Sequence, residues 1–137
     1  GSTIPYFEMG DLQGKNLNIK ALLKQSDYTC LVFYDQDCLH CKELMPQMSS
    51  YFESKALPNK KIQLIAFKNN NKTFNWQKFI TDANLGNWLN VEPYKGDEKY
   101  KDDLKTYSNP QVYLMDKTGK VMAIRFDSTY FDSVLKE

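Results

Sequence analysis

The sequence is short of several things, and each shortage narrows the reading. Its 137 residues include one histidine, one arginine (Arg125), three cysteines, six glycines and five prolines. Three cysteines are too few, and odd in number, for a disulfide-stapled scaffold, which carries more of them on a shorter chain. Charge of one sign is missing too: eighteen basic against seventeen acidic residues leave a net charge of +1. That balance removes the electrostatic signature of a nucleic-acid partner or a polybasic membrane surface. No stretch approaches the roughly 18 apolar residues of a transmembrane helix. The longest apolar runs, such as Cys30 to Tyr34, are strand-sized. There is no repeat, no proline-rich linker and no low-complexity tract beyond Asn69-Asn70-Asn71, which reads as a compositional habit of the source. No signal peptide is visible. The opening Gly1-Ser2 reads as a cloning remnant, so this absence says nothing about compartment. What is present is a core: 42% apolar and 14% aromatic residues. One domain over 4–137 is expected, with 1–3 as a disordered start.

Period and punctuation give alternating strands and helices. Leu17 to Lys24 reads as a helical turn or two. Thr29 to Tyr34, β-branched and aromatic, reads as a strand buried on both faces. The spacing then predicts a helix over Cys38–Lys55, with Leu44, Met48, Tyr51 and Phe52 on one stripe, and a second buried strand over Ile62–Phe67. Asn75–Ala83 carries Trp76, Phe79, Ile80 and Ala83 at helical spacing. A short strand over Asn87–Val91 and a charged helix over Glu98–Tyr107 follow. Gln111–Met115 and Val121–Phe126 flank the turn Asp116-Lys117-Thr118-Gly119 as a hairpin, and Asp127 or Ser128 caps a last helix through Leu135. The early strand–helix–strand order requires a parallel crossover, and the hairpin adds an antiparallel edge. A mixed α/β sandwich is the result.

Cys38-Leu39-His40-Cys41 follows the buried strand directly and opens the long helix. Two thiols three residues apart at a helix start can close a disulfide with little backbone movement. A thiolate there is favoured by the helix dipole and by unpaired backbone N–H groups. His40, between the thiols, adds a positive charge or a donor. A thiol ionised near neutral pH is a nucleophile. Asp35 and Asp37 oppose this, because a carboxylate near Cys38 disfavours the thiolate. Taken alone, the pair fits half a zinc site, an inert pair or a redox pair. A zinc site needs four ligands, and only His40 and Cys30 remain, so no metal is expected. A c-type haem needs histidine immediately after the second cysteine, where Lys42 stands. Cys30 reads as a core residue.

Three segments together resemble thioredoxin-like proteins, and within them the TlpA/ResA-like thiol-disulfide oxidoreductases. Phe33-Tyr34-Asp35-Gln36-Asp37-Cys38-Leu39-His40-Cys41 with Pro46 resembles the active-site strand and helix. Asn109-Pro110 leading through Asp116-Lys117-Thr118-Gly119-Lys120 resembles the downstream proline–strand signature. Phe7 with Asp11-Leu12-Gln13-Gly14-Lys15 resembles the branch's N-terminal entry. The resemblance implies a thioredoxin-like mixed sheet flanked by helices, with an extra strand and helix inserted after the first βαβ unit. It implies that Pro110 is a cis-proline facing the cysteines and that the Asn109 backbone receives a substrate peptide. Asp37 stands where thioredoxins usually have tryptophan, and Leu39 where glycine or proline is common. Val32 replaces the buried aspartate that assists proton transfer, which leaves Glu92 as a candidate base for Cys41.

The expected activity is thiol–disulfide exchange: Cys38 attacks, Cys41 resolves, His40 tunes, Asn109 and Pro110 position the substrate, and the Cys38–Cys41 disulfide replaces any cofactor. The branch implies a reductase of protein disulfides in the bacterial periplasm or elsewhere outside the cytoplasm, anchored through a segment not in this sequence. A membrane-linked electron donor would feed it. A monomer and no nucleic acid are expected. The rival is a non-catalytic thioredoxin-like module that binds peptides or senses redox state.

Overall fold

A computed structural model describes residues 2–136. Its elements are β1 (Glu8–Gly10), β2 (Asn16–Asn18), α1 (Ile19–Leu23), β3 (Tyr28–Tyr34), α2 (Leu39–Lys55), β4 (Ile62–Lys68), α3 (Trp76–Asp82) and β5 (Leu89–Pro93). A 3-10 turn at Tyr94–Gly96 leads to α4 (Tyr100–Leu104), β6 (Gln111–Asp116), β7 (Val121–Ala123) and α5 (Ser128–Leu135). The strands form one sheet in the order β2-β1-β5-β4-β3-β6-β7. β3 and β4 are parallel, as are β4 and β5, whereas β6 runs antiparallel to β3 and β7 antiparallel to β6. The βαβ unit β3-α2-β4 is therefore followed by an inserted helix and strand, α3 and β5.

Side-chain alternation along β3 divides the core into two layers. Cys30, Val32 and Tyr34 face one layer with Met45, Met48 and Phe52 of α2, Phe79 and Ile80 of α3, and Phe131 of α5. Leu31 and Phe33 face the other with Phe7, Ile19, Leu23 and Tyr100. Helices therefore cover both faces, and from Thr29 onward β3 is buried along its length, with Tyr28 half-buried. At roughly 1.5–3 kcal/mol per large apolar side chain removed from water, these two layers supply the main drive for folding.

Local chemistry moves several expected boundaries. Leu17 lies in β2, not on a helical turn, because Asn16–Asn18 pairs antiparallel with Glu8–Gly10. The helix begins only after Asn18, whose side-chain oxygen accepts the Ala21 N–H. On α2 the buried residues are Cys41, Met45, Met48, Ser49 and Phe52, while Leu44 and Tyr51 of the expected stripe sit at its half-buried margin. The charged helix is one short segment, stopped by the left-handed Lys105. β7 ends at Ala123 instead of Phe126. Ser2 and Thr3, expected to be disordered, are tied to the hairpin: Thr3 bridges Lys120, and the Ser2 carbonyl accepts the Val121 N–H at 2.8 Å. The buried Ile4 beside them holds the segment there. Gly1 of the expected disordered start and Glu137 at the expected domain end lie outside the described residues. The hairpin itself depends on Gly119, whose φ of +84° favours glycine and whose position leaves little room for a Cβ beside Leu23 and Ile4.

Candidate active site

The site lies at the carboxyl end of the interior strand β3, where chain direction changes between β4 on one side and β6 on the other. After Tyr34 the chain makes one turn before α2. The Cys38 N–H donates to the Asp35 carbonyl (3.1 Å) and the Asp37 N–H to the Asp35 carboxylate (2.8 Å). Cys38 is thereby placed at the N-cap of a 17-residue helix with no side chain capping the first turn. The free N–H groups and the helix dipole act on this thiol. Cys38 is half-buried, and its Sγ lies 3.7 Å from the Asn109 carbonyl oxygen, to which the thiol donates. The Asn109–Pro110 peptide bond is cis. A shallow cleft of about 300 Å³ holds Cys38 and Asn109 together with Asp35, Asp37 and Lys72.

Cys41 stands one turn further on and is fully buried against the β3 layer. All three cysteines are thiols. Burial pushes the Cys41 thiol up to about 12; a hydrogen bond with the Asp35 backbone opposes the rise, and the Cys38 sulfur and the Asp35 carboxylate add to it. Cys30, inside β3, is raised further by burial alone. Of the three, only Cys38 is accessible, and it stands at a helix N-cap. Iodoacetamide at pH 8 is expected to label one cysteine in the folded reduced protein and three in urea. Two labels without denaturant would overturn this placement of Cys41.

The remaining expected residues separate. His40 is exposed on the first turn of α2, and no hydrogen bond or ion pair to it occurs among the described residues. Glu92, at the end of β5, pairs with Lys68 across to β4 at 3.1 Å, and no contact described joins it to Cys41. Tyr34 is fully buried: its hydroxyl accepts the Trp76 indole N–H at 2.9 Å, and both Cys41 and Glu92 act electrostatically on it.

Sequence reasoning missed the Asn69–Lys72 segment, which it treated as compositional. It is a hydrogen-bonded structure. The Asn69 amide donates to the Thr106 carbonyl (2.6 Å) and the Asn109 side chain (2.9 Å), and its own oxygen accepts the Tyr100 hydroxyl (2.6 Å). Asn70 donates to Gln36 and accepts the Lys72 N–H, both at 2.9 Å. Lys68, 0% exposed, donates to the carbonyls of Asn70 and Lys72. The Lys72 ammonium then reaches Asp35 at 3.3 Å and Asp37 at 3.2 Å. Burial works against the Asp35 charge, but the Asp37 N–H, Lys72 and Asn70 outweigh it and hold the carboxyl below its ordinary range. The one available signal was the run itself: asparagines after a buried strand supply side-chain amides where backbone partners run out.

The model of the thioredoxin-like family matches residues 26–121, and the chain belongs to that family. It is similar to a solved domain of a possible thiol-disulfide isomerase from Cytophaga hutchinsonii, at 28% identity, over 99% of this chain and 90% of that one, with a TM-score of 0.80. The fold is shared with a thiol-disulfide oxidoreductase from Bacteroides fragilis (20% identity, 98% of each chain, TM-score 0.80). It is also shared with the thioredoxin domain of one from Bacteroides vulgatus (17% identity, 98% of this chain and 96% of that, TM-score 0.82). No curated protein matches the chain.

Proposed function

We propose that this thioredoxin-like protein exchanges dithiol for disulfide through Cys38 and Cys41. The observation that carries the reading is the pairing of a half-buried Cys38 at a helix N-cap, its sulfur against the Asn109 carbonyl, with a fully buried Cys41 one turn behind. The Cys38 thiolate attacks one sulfur of a substrate disulfide. That S–S bond breaks, the leaving thiolate takes a proton from water, and a mixed disulfide remains. Cys41 gives up its proton and attacks the Cys38 sulfur, which releases the second substrate thiol. Two electrons pass to the substrate, and the protein keeps a Cys38–Cys41 disulfide. Asn109 and Pro110 form the wall against which a substrate strand lies, His40 stands on the first turn beside the attacking thiol, and Glu92 is proposed as the acceptor for the Cys41 proton. No metal or bound cofactor takes part.

The working direction is reduction of protein disulfides outside the cytoplasm, by a monomer anchored through a further segment and recharged by a membrane-linked donor. The three ordered motifs that resemble the TlpA/ResA-like branch support this. The Cytophaga relative, a domain of a possible thiol-disulfide isomerase, supports the exchange chemistry alone. Equilibration in glutathione buffers followed by alkylation tests it. A two-electron transition at a potential more negative than about −200 mV is expected, and one near about −120 mV would make the protein an oxidant. Failure to form the disulfide at any poise would leave the binding module as the reading.

A further inference from the structure

We infer that Lys72 is a positioning residue that keeps the Cys38 thiolate available by neutralising the two carboxylates flanking the motif. The inference rests on Cys38 being the attacking thiol. Asp35 and Asp37 both lie within three residues of Cys38, and both line its cleft. Two uncompensated carboxylates in that cleft would oppose formation of a third negative charge. Among the described residues, one ammonium answers both: the Lys72 Nζ lies 3.3 Å from Asp35 Oδ2 and 3.2 Å from Asp37 Oδ2.

This bridge is not two flexible side chains meeting by chance at a surface. The backbone of Lys72 is held from three directions. Its N–H donates to the Asn70 side chain at 2.9 Å, its carbonyl accepts from the buried Lys68 ammonium, and the Gln36 amide reaches the same carbonyl at 3.4 Å. Gln36 is 2% exposed and sits between the two aspartates in sequence, so one hydrogen-bonded unit presents both the cation and its anions. The same Gln36 amide donates to the Phe74 carbonyl at 3.1 Å, which fixes the far side of the loop. The other groups around Cys38 are the exposed His40 on α2, the Asn109 carbonyl and, behind it, the buried Cys41 thiol. None of these replaces the ammonium between the carboxylates.

The test is the pH profile of Cys38 alkylation in the reduced protein, with disulfide exchange measured alongside. Lys72→Met is expected to move the pH of half-maximal alkylation up by about one unit, which is about tenfold less thiolate in the acid limb. Because a more basic thiolate is also more nucleophilic, the rate there falls by only about threefold. The displacement is expected to shrink in 1 M salt, where the screening length is about 3 Å. Lys72→Arg is expected to keep the wild-type profile. Asp35→Asn with Asp37→Asn, which retains a side-chain oxygen for the Asp37 N–H, is expected to move the profile the opposite way. Adding Lys72→Met to that pair is expected to bring it back. A Lys72→Met profile that coincides with wild type would overturn the inference, as would a displacement that the two aspartate substitutions leave untouched. Failure of the underlying reading looks different: exchange would then survive in Cys38→Ser.

Discussion

Cys38→Ser is expected to lower disulfide exchange by about 10³-fold or more, while Cys41→Ser keeps the first step and stops at the second. A hydroxyl is not ionised near neutral pH and does not displace sulfur from a disulfide, so losing the attacking atom removes the reaction path itself. Cys41 differs because of where it sits. Fully buried, with its thiol pushed up to about 12, it does not compete for an incoming disulfide. It acts once the mixed disulfide is held within one helical turn. Without it the mixed disulfide persists, visible as a covalent adduct in intact mass and released by excess small thiol. Exchange at the wild-type rate in Cys38→Ser, or no adduct in Cys41→Ser, would end the proposal.

Lys68→Met is expected to destabilise the protein by about 2–4 kcal/mol, a larger effect than any surface lysine should give. Lys68 is a fully buried ammonium at the end of β4, paired with Glu92 at 3.1 Å and lying 4.8 Å from the centre of the Trp76 ring. It also donates to the carbonyls of Asn70 and Lys72. Removing it takes the Lys68 donor from the Asn70 carbonyl, leaves the Lys72 carbonyl with the longer Gln36 bond, and leaves Glu92 without its partner. The Glu92 side chain keeps 31% of its exposure, so water recovers part of that loss, and the figure stays below the full cost of an orphaned buried charge. Urea unfolding of wild type, Lys68→Met and Glu92→Gln checks it. Glu92→Gln should cost less, since an amide oxygen can still accept from Lys68. A Lys68→Met midpoint equal to wild type would show that the loop holds without its buried cation. A destabilised Lys68→Met protein should also carry the alkylation change of Lys72→Met in milder form, because both act on the same loop.

Much of the architecture was legible because it depends on near neighbours in sequence. The β-branched and aromatic run before Cys38 makes a strand wherever it is placed, and the i, i+3, i+4 spacing of Trp76, Phe79 and Ile80 makes a helix. The Asp116–Gly119 turn closes a hairpin by its own chemistry. Where pairing came from afar, local reading misplaced boundaries. Leu17 joined a strand because Glu8–Gly10 lies opposite it, and Thr3 was ordered by Lys120.

The shortage of cysteine therefore acquires a spatial meaning. By itself the sequence determined that two thiols open a helix behind a buried strand, that the third belongs to the core, and that an Asn-Pro stands before a later strand. Those are matters of spacing, local propensity and helix-end electrostatics. Only the tertiary structure decided which charges meet. It brought Lys72, thirty-four positions beyond Cys38, between Asp35 and Asp37. It buried Lys68 against Glu92, where sequence alone had offered that glutamate as a base, and it made a run of asparagines into the frame of the site. The physical reason is that ion pairs and side-chain amide bonds depend on distance in space and carry no period along the chain.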